Sequence, residues 1–536
     1  MKLPLLRLAA IALPLSCAWL PAAARDSGLR TVDLYRGPSQ SAAALIPSPA
    51  SREQQAVAER LDRHGLLYSG KVVVDRDTRT LTPPDSVAAF AGSGYVLARE
   101  PAQIAFGVIP VPDLWLDDPP KVSATANKNN HGPWSSWANA DEDRRTGHFW
   151  TAVGDHGTYS ARVHLVHYDP GARKITVHPE INRTVFGRTR SQFGDGKIHG
   201  QLNFYQAQGM RRPQLWFATF WCKYPEPDPE DFATGYDGSH LMSLDVSTGR
   251  LTDYGAPRPG SSWPMHRIDT RRGMLYGVTN YGEFLAWDIN ARKALWNGYL
   301  PKGLSWYERA LMIDEETGAV YSTNYDHDNW RWWHGEHVSQ PKPIHFIKYD
   351  PLRNRIVRLD AQVPREAGGT SRVKAGTYSQ LRAYTWNRGP DGLFWCITYG
   401  GQMFTFDPRT ETVVDRGLCW PGAERYTVSI DRSPGGRYLY YVPGGHGTGD
   451  RVGTPVVQYD TATSAKKVLA FLHPFYREKY GYTASGTFSL RLSQGGDRLF
   501  ITMNGAFVER GDETDQGTYG QCSIMLVDIP EAERRE

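Results

Sequence analysis

Two kinds of tight turn alternate along this chain, and their alternation limits the possible folds more than any other property of the sequence. The first is a polar or glycine turn leading into an apolar strand: EDRRTGHFWTAVG, GMRRPQLWFATFW, TRRGMLYGVTN, EETGAVYSTN, GPDGLFWCITYG, SPGGRYLYYVPG and QGGDRLFITMN. The second follows a strand that ends on a hydrophobic residue and an aspartate: LVHYDPGARK, LMSLDVSTGR, FLAWDINARK, FIKYDPLRNR, MFTFDPRTET, VVQYDTATSA and IMLVDIPEAE. The aspartates are Asp169, Asp245, Asp288, Asp350, Asp407, Asp460 and Asp528, so each kind occurs seven times, strictly interleaved. Asp at the first position of a turn accepts hydrogen bonds from backbone N–H groups two residues on. These seven therefore read as architecture and not as chemistry.

A unit of strand, turn, strand, longer loop, strand, turn and strand is one four-stranded antiparallel blade, and seven such units close into a ring. The expected fold is all-β, a seven-bladed β-propeller of four-stranded antiparallel blades over residues 116–536. Abundant Trp, Tyr and Phe, 53 Gly and 36 Pro agree with it, as does the scarcity of long 3.6-residue patterns. The last unit stops at VDIPEAERRE, with no fourth strand after Asp528. An open blade edge invites pairing with other chains. An early segment, AQIAFGVI (102–109) or GKVVVD (70–75), is therefore expected to supply the missing strand. Both belong to a lead-in over residues 25–115, in which SREQQAVAERLDRHG (51–65) reads as a short amphipathic helix.

Residues 1–24 have a basic start (Lys2, Arg7), an apolar middle and an Ala22-Ala23-Ala24 exit, the pattern of a secretory signal cleaved before Arg25. The expected location is periplasmic or secreted. Without Lys2 and Arg7, 59 basic residues face 57 acidic ones. Such a balance argues against nucleic acid as a partner, which needs a concentrated basic face. No later apolar run reaches the ~18 residues of a spanning helix, so no membrane span is expected, and a monomer is the expected state. Of the cysteines beyond the signal, Cys222, Cys396, Cys419 and Cys522, the pair Cys396–Cys419 is a candidate disulfide.

In a propeller the first strand of each blade lines the central channel. These inner strands lie upstream of the first turn type, in NNHGPWSSW, KIHGQLNFY, WPMHRID, SWYERALMID, TYSQLRAYTW, ERYTVSID and SGTFSLRLS. They bring His131, His199, His266, Tyr307, Arg309, Tyr378, Arg382, Tyr426 and Arg491 toward one axis. Five histidines crowd residues 127–170. His148, His164 and His167 fall on strands and read as packing. His131 opens the inner strand of blade 1, and His156 sits in VGDHGTYS, on the loop at the same end of the blade. Those two are the candidate functional pair.

Over roughly residues 120–330, through NNHGPWSSW, the GDHG loop, DGKIHGQL and YDGSHLMSLDVSTGRLTDYG, the chain resembles the seven-bladed propeller polysaccharide lyases, the group that includes ulvan lyases and rhamnose-glucuronate lyases. The resemblance implies β-elimination from an anionic, uronic-acid-containing polysaccharide. Two blade-1 histidines, here His131 and His156, would face the scissile sugar. In that group a tyrosine on the next inner strand assists and an arginine further on neutralises the uronate. Here that strand has His199 at the expected place and Tyr205 several residues later, and LWFATFWCKY ends in Trp221, Cys222 and Lys223 with no arginine. Lys223, or Arg309 or Arg382 from other blades, then takes the neutralising role. Some members hold a zinc beside the site, and Cys222, His240 and His266 are the matching candidates.

The residue types suit the reaction. The C5 proton of a uronate is hard to remove until a cation holds the neighbouring carboxylate, and such charge stabilisation is often the largest catalytic contribution. A neutral histidine can then take the proton, and a second histidine or a tyrosine can protonate the departing O4. The expected substrate contacts are Trp221, Lys223, His266, Tyr307, Arg309 and Arg382, with Trp263 and Trp306 as further stacking candidates. YDHDNWRWWHGEH (325–337) adds aromatic density suited to sugar contact. Two other readings stand beside this one. A glycoside hydrolase on the same fold needs two carboxylates, for which Glu308 with Asp155 or Asp326 are available. A non-catalytic, carbohydrate-binding or scaffold propeller of the cell envelope needs neither, since fold does not fix function.

Overall fold

The computed structural model describes residues 29–35, 64–66, 69–110, 135–155, 159, 161–189, 191–221, 229–279, 281–324, 339–445, 447–507, 512–514 and 517–535. Seven antiparallel sheets form the blades of a propeller, spanning residues 141–177, 203–253, 265–298, 312–362, 381–418, 430–471 and 482–528 as blades 1 to 7. Within each, consecutive strands pair antiparallel from the axis outward, as in Asp141–Asp143, His148–Gly154, Val163–Asp169 and Lys174–Val177 of blade 1.

The second turn type works as its aspartates suggest. Asp245, Asp288, Asp350, Asp407 and Asp460 each accept from the backbone N–H two residues on, and Asp169 from the one three residues on. Four residues after each of these six, the backbone is left-handed, at Arg173, Gly249, Arg292, Asn354, Glu411 and Ser464. A tight reversal followed by one left-handed residue returns the chain in register for a fourth strand. Asp528 differs. Its carboxylate accepts from the Gln103 side chain at 2.8 Å, and the chain runs on into the short helix Glu531–Arg534 without another hairpin.

The reason is the ring closure. Gln103–Val108 occupies the fourth place of blade 7, paired from Ser523↔Val108 to Asp528↔Gln103. Val72–Asp75 then adds a fifth strand outside it. Both expected segments are used, one beyond the other. Two further edge strands come from the lead-in. Arg30–Asp33 runs antiparallel to the outer strand of blade 2, and Val96–Leu97 parallel to that of blade 6. The expected helix at 51–65 lies almost wholly outside the described residues.

Among the described residues the hydrophobic core forms nine clusters, seven of which lie one at each blade-to-blade interface. Leu165 of blade 1 packs with Leu215 and Leu244 of blade 2, and the series continues round to Phe149 of blade 1 against Phe500 and Ile524 of blade 7. Each fully buried side chain of this kind contributes roughly 1.5–3 kcal/mol. Lead-in residues extend four of the clusters, with Leu34 between blades 1 and 2, Tyr95 between 5 and 6, Phe106 between 6 and 7, and Ile109 between 7 and 1. The candidate disulfide does not form. Cys396 lies in the core between blades 4 and 5, 3.6 Å from the Met312 sulfur, whereas Cys419 lies between blades 5 and 6, and both thiols are free. Among the described residues no helix is long and apolar enough to cross a membrane.

Candidate functional site

Inner strands run from the loop end of the ring to the hairpin end, so a residue's place on its strand decides which mouth it serves. His199, Arg309 and Tyr426 lie a few residues ahead of the regular inner strands Asn203–Tyr205, Met312–Ile313 and Ile430–Arg432, toward the loop end. Arg382 lies near the start of Leu381–Tyr384. The structure brings these groups together across the channel.

His199 is the centre of the group. Its ring is buried, and Nδ1–H donates to the Pro264 carbonyl oxygen at 2.7 Å. That bond leaves the Nε2 lone pair facing inward, where the Arg309 guanidinium donates to it. Burial, then the positive charges of Arg309, Lys197 and Arg382, hold His199 well below the ordinary histidine range. The ring is therefore neutral, with a fixed tautomer. Trp137 of blade 1 lies parallel to it at 6.0 Å between centroids, and Lys197 Nζ sits 3.9 Å over the Trp137 ring.

Arg309 also contacts the Glu308 carboxylate at 3.0 Å, and burial raises Glu308 above the usual carboxylate range. Arg382 donates to the Tyr426 hydroxyl and lies 5.8 Å from the centroid of the Phe488 ring. Burial pushes Tyr426 up to about 12 and Tyr307, which feels both Arg382 and Arg309, well above its ordinary value. Trp137, Val428 and Phe488 pack together beside this group, with the Trp137 and Phe488 centroids 3.8 Å apart and Tyr426 packed against them. Three cations, a neutral imidazole, one carboxyl group and two protonated phenols thus form one polar cluster at the channel end. Such a cluster favours an anionic ligand bearing hydroxyl groups.

Several expected members lie elsewhere. Tyr205 is six residues further along its strand than His199, roughly 20 Å, and its hydroxyl contacts Asn290 in a hairpin turn of blade 3. It cannot assist His199. Trp221 is fully buried among Phe193, Phe220 and Tyr236. Trp263 packs in the core between blades 2 and 3, and Trp306 stacks on Phe284 at 4.5 Å. None of the three presents a face for a sugar. Tyr378 is bound by Arg365 at 2.9 Å. Arg491 sits at the hairpin end, between Asp141 and Asp431.

His240 and His266 do not fit the expected zinc set. His240 is clamped between Asp253 at 2.8 Å and Asp237 at 2.9 Å, one carboxylate on each ring nitrogen. Burial alone would lower it, but the two carboxylates reverse the sign and raise it to about 9. His266 Nε2 accepts the Ala218 N–H at 3.1 Å, and burial lowers the ring to about 3. The position a Cβ on Gly200 would take is 2.1 Å from its Nδ1, so the ring is pressed against a neighbouring backbone and kept out of the channel. Among the described residues no group of three potential ligands surrounds a common point. His131, His156, Cys222, Lys223 and residues 325–337 lie outside the described residues.

The sequence pointed to Glu308 only as a hydrolase carboxylate, and Lys197 and Trp137 were not singled out as members of the site. Lys197 was within reach, because residues two apart on a strand point to one face and it stands two before His199. The chain matches no known protein-family model, and no curated protein matches it at a significant level.

Proposed function

We propose that the loop-end mouth binds the uronate of an anionic polysaccharide and cleaves it by β-elimination in an exported protein. The observation that carries this reading is the contact of Arg309 with Nε2 of the neutral, buried His199, beside Lys197 and Arg382. A carboxylate entering there gives Arg309 a better acceptor than an imidazole nitrogen and Arg382 a better one than a phenol oxygen. It also offsets the positive field that keeps His199 from taking a proton.

The bond changes are simple. A neutral imidazole takes the C5 proton, the C5–H electron pair forms the C4=C5 double bond, and the C4–O4 bond breaks. O4 then takes a proton from an acid. Tyr426, protonated at neutral pH, is one such acid, and an imidazolium formed in the first step is another. His131, His156 and His199 supply the bases. Two backbone contacts support that grouping. Ser135, four residues after His131, exchanges backbone hydrogen bonds with Gly154, two residues before His156. Asp155 N–H donates to the Gly196 carbonyl oxygen at 2.8 Å, three residues from His199.

Hydrolysis is less well supported. Asp155 is held by the buried Arg162 at 3.0 Å, and Glu308 by Arg309, so neither is placed as one of two carboxylates flanking a bond. The test is incubation with a panel of uronate polysaccharides, following near-UV absorbance of an unsaturated uronate. Elimination produces the chromophore, and His199→Gln and Arg309→Gln suppress it. Release of reducing ends without absorbance would indicate hydrolysis, and neither signal would indicate a binding or scaffold protein.

A further inference from the structure

At the opposite, hairpin end of the ring, the turns of blades 1, 5, 6 and 7 enclose a cavity of about 480 Å³. That volume suits a ligand of one or two sugar rings. It is lined by Glu142 and Arg144 of blade 1, Trp386 and Arg388 of blade 5, Asp431 and Arg432 of blade 6, and Arg491 with Gln494 of blade 7. Its lining shares no residue with the group around His199.

The acidic residues of this cavity are committed to the frame. Glu142 accepts the Gln494 N–H at 2.7 Å. Asp431 accepts the Leu492 N–H at 2.9 Å, the Arg432 N–H at 2.9 Å and the Arg491 side chain at 3.2 Å. Of the lining guanidinium groups, Arg388 is bonded to the Asp314 carboxylate at 2.8 Å and to Glu316, and Arg491 to Asp141 and Asp431, whereas Arg432, and Arg267 behind the lining, are satisfied differently. Arg267, on blade 3 behind Trp386, donates to the Trp386 and Leu311 carbonyl oxygens and the Asn387 amide oxygen. Arg432 donates to the Asn387 and Leu393 carbonyl oxygens, with Asp391 3.6 Å away. Carbonyl dipoles satisfy hydrogen bonds without cancelling a unit charge, and burial holds both guanidiniums below their ordinary range. The exposed Arg144 adds a third cation at the rim. Trp386 is half-buried, backed on one side by Arg491 at 3.9 Å, and gives the wall a flat aromatic element.

We propose that this cavity is a second binding site, for a monosaccharide-sized oxyanion, a sugar acid or a sugar phosphate. The positive wall selects the anion and Trp386 the ring. The site is separate from the chemistry proposed for the loop end and does not depend on it.

Titration calorimetry on the intact exported chain tests it, with glucuronate, glucose 6-phosphate and glucose as probes. Saturable binding of at least one anion, at least tenfold tighter than glucose, is expected, and the tighter anion identifies the source. In an Arg309→Gln background, which weakens uronate binding at the loop end, Arg144→Ala and Trp386→Ala should each weaken it at least fivefold. Arg144 is exposed, so its variant reads binding even where Trp386→Ala lowers the melting temperature. Absence of saturable anion binding in that background, equal affinity for glucose, or an affinity unchanged by Arg144→Ala overturns the proposal. Elimination activity is read independently, so its absence leaves this result standing.

Discussion

Arg309, carried on blade 4, donates to Nε2 of His199 on blade 2, while the Pro264 carbonyl oxygen holds the opposite nitrogen of the same ring at 2.7 Å. The imidazole is thus oriented by two bonds made on different blades, and burial together with the Arg309 charge keeps it neutral. Removing the guanidinium should weaken carboxylate binding and also make His199 easier to protonate, since Arg309 follows burial as a cause of its lowered proton affinity. Arg309→Gln is expected to reduce kcat/KM on a uronate polymer by about 10²–10³-fold, the scale of losing one charge-stabilising donor. The acid limb of its pH–rate profile should move to higher pH. A drop in rate with an unmoved limb would mean that Arg309 does not govern His199.

His240 makes an alkaline prediction. Its folded value of about 9 lies above the ordinary 6.5, so the clamp with Asp237 and Asp253 stabilises fully below about 6.5 and is lost as pH rises through about 9. Asp237 is partly exposed and screens part of the effect. His240→Gln should cost on the order of 2–3 kcal/mol at pH 6 and much less at pH 10. Urea denaturation at the two pH values measures the difference, and equal costs would refute the clamp.

The acid side has the opposite sign. Burial lowers His178 and His266 to about 3 and His164 to about 4, so the unfolded chain takes up protons below about 6.5 that the folded one refuses. Stability should fall as pH drops from 6.5 toward 4. His178 also stacks on Tyr35 of the lead-in at 4.9 Å, and Phe can keep that contact without titrating. His178→Phe is expected to make the melting temperature less steep in this window. An unchanged slope would place the proton uptake elsewhere.

The closing strand makes a stability prediction. Phe106 is fully buried between blades 6 and 7, against Tyr476 and Tyr482. Phe106→Ala should destabilise by about 3–5 kcal/mol. Comparable loss in Tyr482→Ala, with less than additive loss in the double variant, would show that the two rings act as one contact.

The architecture was legible because it rests on local chemistry that repeats. Each hairpin after Asp169, Asp245, Asp288, Asp350, Asp407 and Asp460 carries its own instruction, the acceptor at the first position. Asp528 has the same sequence look and a different role, because its partner, Gln103, is more than four hundred residues away. The edge strands at 30–33 and 96–97 left no local pattern, since an outer strand needs only a free edge to pair with. At the site, Arg309 and Arg382 were legible because inner strands can be counted from their turns. Tyr205 was misplaced because side-chain type says nothing about which end of a strand it occupies. His240 and His266 looked like metal ligands by residue type, and only three-dimensional contacts reveal that carboxylates and backbone already hold them.

The pairing of Gln103–Val108 with Ser523–Asp528 has a mechanical consequence. In blades 1 to 6 the four main strands follow one another along the chain, whereas this junction, like those of the edge strands at 30–33 and 96–97, is held by hydrogen bonds and side-chain packing alone. A pulling force applied between the two segments would unzip the torus there first. During synthesis the early segment must wait for the last strand to emerge before either finds its neighbour.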